Sequence, residues 1–251
     1  MLVMGILNVT PDSFADGGRH NEFEAAVARG IEMIAEGVDI IDVGGESTRP
    51  GAERVSEEEE IARTIPVITE LAKHRATISI DTMRASTAEA AIKAGASIIN
   101  DVSGGLADDV MLQTAARLQV PYIAMHWRGQ SKDMNSKAIY SDVVNDVIAE
   151  LNERIDAALD AGINKDKLII DPGIGFAKDA EHNWAIIDAI DRFVELGYPV
   201  LVGASRKRFL GGDSPDEREQ ATIDLTKRLG TTGVWAVRVH SVKPHKEVLS
   251  S

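Results

Sequence analysis

The feature that most constrains this chain is a repeated alternation. Eight short runs rich in apolar and β-branched residues recur: LVMGILNV (2–9), VDIIDVG (38–44), TISIDT (77–82), SIINDV (97–102), VPYIAMH (120–126), LIIDPG (168–173), PVLVGAS (199–205) and VWAVRVH (234–240). They are nearly continuous in apolar character, as parallel strands covered on both faces require. Segments of helical periodicity separate them, over 21–36, 56–74, 85–94, 109–118, 141–161, 181–196, 216–229 and 243–250. In the first, Phe23, Val27, Ile31 and Ile34 recur at spacings of three and four. The second opens on Ser56 with Glu59 three places on, the pattern of a capping box. Gly37, Gly95, Gly162, Gly197 and Gly233 stand just before strands, where helix C-terminal glycines belong. Strand alternating with helix eight times predicts an α/β fold, a (β/α)8 TIM barrel forming a single domain over 1–251. A doubly wound open sheet is the alternative.

Composition narrows the functional classes. A chain of 251 residues suits one barrel, and 44% hydrophobic residues supply a large core. The net charge of −13 argues against nucleic acid as a partner, although a small anion needs only a few local donors. With no cysteine, disulfides and thiolate metal sites are excluded, and a cytoplasmic location fits. The opening MLVMGILNV is too short for a membrane span and lacks the basic start of a signal peptide, so no membrane partner is expected.

In such a barrel the active site forms where strands end and loops begin. Here those ends are polar: Asn8, Asp42, Asp81, Asn100, His126 beside Met125, Asp171, Ser205-Arg206-Lys207 after Gly203, and Arg238 with His240. A strand-end carboxylate often only caps a helix, and Asp42 reads as structural, tying down the Gly-rich loop that follows it. For all the ends to be polar by chance is another matter, since mid-barrel strands want apolar side chains. Two carboxylates and an amide converging in a dry pocket suit a flat heterocycle with adjacent N–H donors. Lys207 donates to another edge of the ring, and Met125 and Phe176 offer apolar surface against its face. Arg238 and His240, two apart on one strand, share a face and suit phosphate or diphosphate, against the plainer reading of a rim salt bridge. Asn8 lies on the neighbouring strand and suits the same anion or its Mg²⁺. Beyond Asn8 a polar, glycine-flanked loop carries Asp12, Phe14 and Asp16.

These segments resemble one family. MGILNVTPDSFADGG (4–18), GGESTRPGA (44–52), SIDTMRA (79–85), INDVSGG (99–105), DPGIGFAK (171–178), GASRKRF (203–209) and RVH (238–240) occur in the order found in dihydropteroate synthases and span nearly the whole chain. The resemblance implies a (β/α)8 barrel, commonly a homodimer, that condenses 6-hydroxymethyl-7,8-dihydropterin diphosphate with 4-aminobenzoate in folate biosynthesis. It implies that Asp81, Asn100, Asp171 and Lys207 bind the pterin, with Met125, Phe176 and Gly203 lining the pocket. Asn8, Arg238 and His240 hold the diphosphate, with Mg²⁺ at Asn8. The loop of Asp12, Phe14 and Asp16 folds over the centre, joined by Ser47, Thr48, Arg49 and Pro50. Ser205 and Lys207 complete the aminobenzoate site with Phe14 and Pro50. Sulfonamides, which mimic aminobenzoate, are implied inhibitors.

No nucleophile has a base beside it, so the expected mechanism is diphosphate departure to a pterin-methylene cation, then amine attack. Asp16, Lys207, Arg238 and His240 are the expected catalytic groups, Asp16 stabilising the cation or ordering the amine. The chain departs from the family pattern after His126, so Trp127 and Arg128 are placed outside the site. It departs again at Ser241, where aspartate is frequent, so Ser241 is given no role. A methyltetrahydrofolate–corrinoid methyltransferase should lack the RVH, SRK and TPDSF segments. A non-catalytic paralogue should have lost strand-end residues, and a phosphate-binding isomerase should carry a glycine-rich loop after strand seven or eight.

Overall fold

The computed structural model describes residues 1–10, 18–46, 54–129 and 134–250, with the side chains of 18–21, 134 and 135 left aside. Eight parallel strands alternate with helices: β1 Leu2–Asn8, α1 Gly18–Ala35, β2 Ile40–Gly44, α2 Glu57–Ala72, β3 Ile78–Asp81, α3 Ala85–Ala94, β4 Ile98–Asp101, α4 Met111–Leu118, β5 Tyr122–Met125, α5 Val143–Asp160, β6 Leu168–Asp171, α6 Ala180–Asp188, α7 Ile190–Val194, β7 Leu201–Val202, α8 Glu219–Leu229, β8 Ala236–Val239 and α9 Lys243–Ser250. Strand order runs β6-β5-β4-β3-β2-β1-β8-β7. A parallel bridge between Ile170 and Val200 closes the ring between β6 and β7. The expectation of a barrel is therefore met, and the open sheet is set aside.

Local chemistry explains where the elements begin and end. Ser56 Oγ accepts the Glu59 N–H at 3.2 Å, and Glu57 to Glu60 place four acidic side chains against the positive end of α2. The Glu59 carboxylate pairs with Arg63 Nε at 2.8 Å. Asp142 starts α5 by accepting from the N–H groups of Val144 and Asn145, both at 3.1 Å. Gly95 ends α3 at φ 119°, a left-handed conformation, and a Cβ there would lie 2.6 Å from Ala72 Cβ. One expectation changes: the periodic stretch 181–196 is two helices. Ala189, at φ −103° and ψ 21°, caps α6 and starts α7, and the bend leaves Ile186, Ile187, Ile190 and Phe193 all in the core.

The strands are buried on both faces, which is why their sequences lack alternation. The outward residues, such as Ile41, Ile80, Ile99 and Ile170, pack under the helices against Leu71, Met111, Leu151 and Phe193. The inward residues Met4, Ile40, Ile98, Ile123, Ile169, Leu201 and Ala236 form a separate buried cluster inside the barrel. Among the described residues, no helix is long and apolar enough to cross a membrane.

Candidate functional site

The site stands on that inner cluster. Side chains on a strand alternate, so the residue two places beyond each inner apolar one also faces the barrel axis, nearer the strand end. Those residues are Ile6, Asp42, Asn100, Met125, Asp171, Gly203 and Arg238, with Asp81 matching them on β3. An apolar layer thus gives way, within one step along the barrel, to a charged one.

Arg238 organises this charged layer. Its Nε donates to Asp42 Oδ2 and its Nη2 to Asp81 Oδ2, both at 2.6 Å. Asn100 Nδ2 donates to the same Asp42 oxygen at 3.0 Å. Asp42 is fully buried, and its Oδ1 has no hydrogen-bond partner among the described residues. The sequence reading of Asp42 is therefore corrected. Among the described residues it bonds no part of the following loop; it links Asn100 to Arg238 in the floor. Its inward register on β2, two residues past Ile40, is the signal that identifies it. One guanidinium serves two buried carboxylates here. Burial raises the Asp81 carboxyl to about 7, with Arg238 opposing and Asp42, Glu60 and Asp101 adding to the rise. Burial works against the charge of Arg238, but Asp42 and Asp81 overcome it and hold the guanidinium more firmly protonated than usual.

Asp171 and Lys207 form the opposite side. Asp171 Oδ1 accepts the Gly173 N–H at 2.7 Å, and burial raises its carboxyl against that bond and the nearby cations. Lys207 Nζ donates to the Ile174 carbonyl and lies 4.4 Å from the centre of the Phe176 ring. Gly175, at φ 76°, permits this approach, since a Cβ there would meet Lys207 Cδ at 2.5 Å. Burial lowers the Lys207 ammonium to about 7, with Asp171 opposing and Arg238 adding to the fall. Met125 is buried beside this layer, and the space over Gly203 opens towards Asp171 Oδ2 and Arg238 Cβ, each 3.9 Å from where a Cβ would be.

At the rim, Ser205 Oγ and His240 Nδ1 are 2.9 Å apart, and the His240 N–H donates to Ser205 Oγ at 3.2 Å. Ser205 and His240, assigned separately from sequence, are thus one unit. His240 lies one residue beyond β8 and bonds Ser205 at the rim, whereas Arg238 turns two of its nitrogens to Asp42 and Asp81, so the pair spans floor and rim. Asn8 ends β1 nearby, with Asn8 Oδ1 and Asp81 Oδ2 within 3.8 Å and 3.7 Å of one point over Gly44. A single amide oxygen beside a carboxylate fits a magnesium ion held mainly by substrate phosphates and water. Among the described residues there is no cluster of three or more His, Asp or Glu placed to hold a metal.

A second network lies behind the β6 loop. Lys178 Nζ donates to the carbonyls of Gly173 at 3.1 Å and Phe176 at 3.0 Å, and bonds His126 Nδ1 at 2.9 Å. His126 Nε2 meets Glu150 Oε2 at 2.9 Å, and Arg128 grips the same carboxylate while stacking 3.8 Å over the Tyr140 ring. Burial, with Lys178 adding, lowers the His126 imidazole to about 4, so it is neutral and donates from Nε2. Arg128 is outside the pocket, as expected, yet it supports the loop that carries Phe176. Asp12, Phe14 and Asp16, and Ser47, Thr48, Arg49 and Pro50, lie outside the described residues. The chain flanking 47–53 is held by Arg84, which bonds Glu46 at 2.9 Å and the Val55 carbonyl at 2.6 Å.

Known proteins share this fold and much of this sequence. Residues 4–240 match the family model described as pterin binding enzyme. The dihydropteroate synthase of Mycobacterium leprae is 48% identical, over 98% of this chain and 90% of its own length. The dihydropteroate synthase of Xanthomonas albilineans, solved with 4-aminobenzoic acid, superposes with a TM-score of 0.93 at 44% identity, covering 99% of this chain and 90% of that one. Solved with 7,8-dihydropteroate, the same enzyme gives 0.90 at 40% identity, covering 99% and 91%. The Yersinia pestis dihydropteroate synthase, solved with a sulfonamide drug complex, gives 0.93 at 38% identity, covering 99% and 92%. At this identity and coverage, the chain belongs to the dihydropteroate synthase family of pterin-binding enzymes, transferases of folate biosynthesis.

Proposed function

We propose that this chain joins 6-hydroxymethyl-7,8-dihydropterin diphosphate to 4-aminobenzoate, acting as one pterin-binding domain. One observation carries the reading: Asp81, Asn100 and Arg238 are linked through the barrel floor, and Asp171 and Lys207 stand beside them at the same strand ends. The carboxylates and the amide receive the ring N–H groups of the pterin, and Lys207 donates to a ring acceptor. Phe176 and Met125 cover the ring faces. Asn8, Arg238 and His240 receive the diphosphate.

The reaction breaks the methylene carbon–oxygen bond and forms a carbon–nitrogen bond. The electron pair of the broken bond leaves on diphosphate, and the electron-rich dihydropterin stabilises the methylene cation. The aminobenzoate nitrogen attacks that carbon and then loses a proton to diphosphate or solvent. Arg238, His240 and Lys207 act by stabilising departing charge and by orientation. Asn8 Oδ1 would hold a magnesium ion bound with the diphosphate, which would supply further charge neutralisation. Asp16 orders the amine or stabilises the cation. Phe14, Ser47, Thr48, Arg49, Pro50 and Ser205 contact the aminobenzoate, where sulfonamides compete. The enzyme works in the cytoplasm, which suits a chain without cysteine, and as a homodimer, a feature carried from the family resemblance.

The test is diphosphate release from the pterin diphosphate with Mg²⁺, with and without 4-aminobenzoate. Release that tracks dihydropteroate formation and falls on adding a sulfonamide supports the reading. Tight pterin binding without turnover refutes it in favour of a non-catalytic paralogue.

A further inference from the structure

Arg206 stands between two residues of the proposed site, Ser205 and Lys207, and its backbone is unusual. Its φ is +57°, in the left-handed region that non-glycine residues rarely occupy. Contacts from α8 and the turn before it hold it there. The Arg206 N–H donates to Thr222 Oγ1 at 3.1 Å, Arg218 Nη1 donates to the Arg206 carbonyl at 3.4 Å, and Arg206 Nε donates to Glu219 Oε2 at 2.6 Å. The second oxygen of Glu219 accepts from Ser241 Oγ. Ser241 is the neighbour of His240. The carboxylate of Glu219, about a fifth exposed, therefore ties the residue beside Ser205 to the residue beside His240. Ser205 and His240 are themselves bonded.

We infer that Glu219 is a positioning residue for the rim: by clamping Arg206 and Ser241 it sets His240, held by its bond to Ser205, in register to receive the diphosphate. This rests on the proposed function. Lys207 has its own anchors, the Ile174 carbonyl and the Phe176 ring, so the pterin floor does not depend on the clamp. Glu219 touches no reacting atom; it acts through Arg206 and Ser241, and His245 Nε2 lies 3.6 Å from the oxygen that takes the Ser241 hydroxyl. Glu219→Gln keeps the shape but replaces one acceptor oxygen with a donor that faces Arg206 Nε–H or the Ser241 hydroxyl.

Calorimetry tests this on the intact protein, with inorganic diphosphate plus Mg²⁺ as one probe and 6-hydroxymethylpterin as the other. In Glu219→Gln, diphosphate binding should weaken about tenfold or more, the scale of a lost charge-assisted bond. Pterin binding should stay within about twofold, since its groups lie elsewhere. KM for the pterin diphosphate should rise more than kcat falls. Adding Ser241→Asp to Glu219→Gln returns a carboxylate to the side of Arg206 and should restore most of the loss. Thr69→Val, which breaks a 2.8 Å bond to the Ile65 carbonyl on α2, should change neither binding constant. The inference is overturned if Glu219→Gln binds diphosphate as the parent does. It is equally overturned if diphosphate and pterin binding fall together without rescue, which marks a purely structural residue. A parent protein that binds pterin but no diphosphate overturns the proposed function itself, and the clamp with it.

Discussion

Replacing Arg238 with methionine tests whether one guanidinium is what allows two carboxylates in the barrel floor. Asp42 is wholly buried and Asp81 is 7% exposed, and Arg238 bonds both at 2.6 Å. Removing one partner of a buried pair costs about 3–5 kcal/mol, chiefly the penalty of stranding the remaining charge. For a chain of this size that corresponds to a fall in Tm on the order of 10 °C. The loss should depend on pH, and the sign is determined. The Asp81 carboxyl already titrates at about 7 in the folded protein, above its unfolded value. Its unfavourable ionisation is absent at low pH and grows as pH rises from about 4 to about 7. Without Arg238 the folded Asp81 carboxyl rises further, so the deficit of Arg238→Met should be largest at pH 8 and smaller at pH 5.5. Urea unfolding at both values, crossed with Asp81→Asn, measures it. In the Arg238→Met background Asp81→Asn should recover at least about 1 kcal/mol by removing one stranded charge. An equal loss at both pH values with no recovery would refute the reasoning, and would mean that Arg238 contributes through packing alone.

Three other perturbations separate loop position, acid sensitivity and fold. Gly175→Ala places a Cβ 2.5 Å from Lys207 Cδ at φ 76°, so Lys207 must shift; kcat/KM should fall about tenfold or more while the protein stays folded, as kinetics beside circular dichroism would show. His126 titrates at about 4, below its unfolded value. Stability from this group should therefore be lost as pH falls from about 6.5 towards 4, opposite in sign to Asp81. Proton NMR should show the His126 ring neutral at pH 6, and a ring protonated there would refute the buried assignment. Gly95→Ala, strained at φ 119° and crowding Ala72 at 2.6 Å, should destabilise by about 1 kcal/mol or more in urea with kcat unchanged.

Much of this protein was legible in its sequence. Apolar runs of strand length alternating with helical periodicity named the barrel, because burial on both faces leaves a local signature in each strand. The polar residue ending each run named most of the site, because alternation and barrel geometry place such residues at one mouth. What sequence did not determine was pairing. The bond from Arg238 to Asp42 joins residues 196 apart and that to Asp81 spans 157, so the register of Asp42 on β2 marks it as inward-facing but nothing local marks its partner. The break at Ala189 falls in an unbroken helical pattern with no Pro or Gly beside it. Lys178, Glu150 and Glu219 read singly as ordinary charges on helices and loops. Only closure of the barrel brings Lys178 to His126, and Glu219 between Arg206 and Ser241. A chain determines which residue types lie at which period, since that depends on neighbours a few positions away. The charge state of a buried group, and which partner shares its proton or its bond, depends on distance through space and on exclusion of water, and these exist only once the eight strands have met.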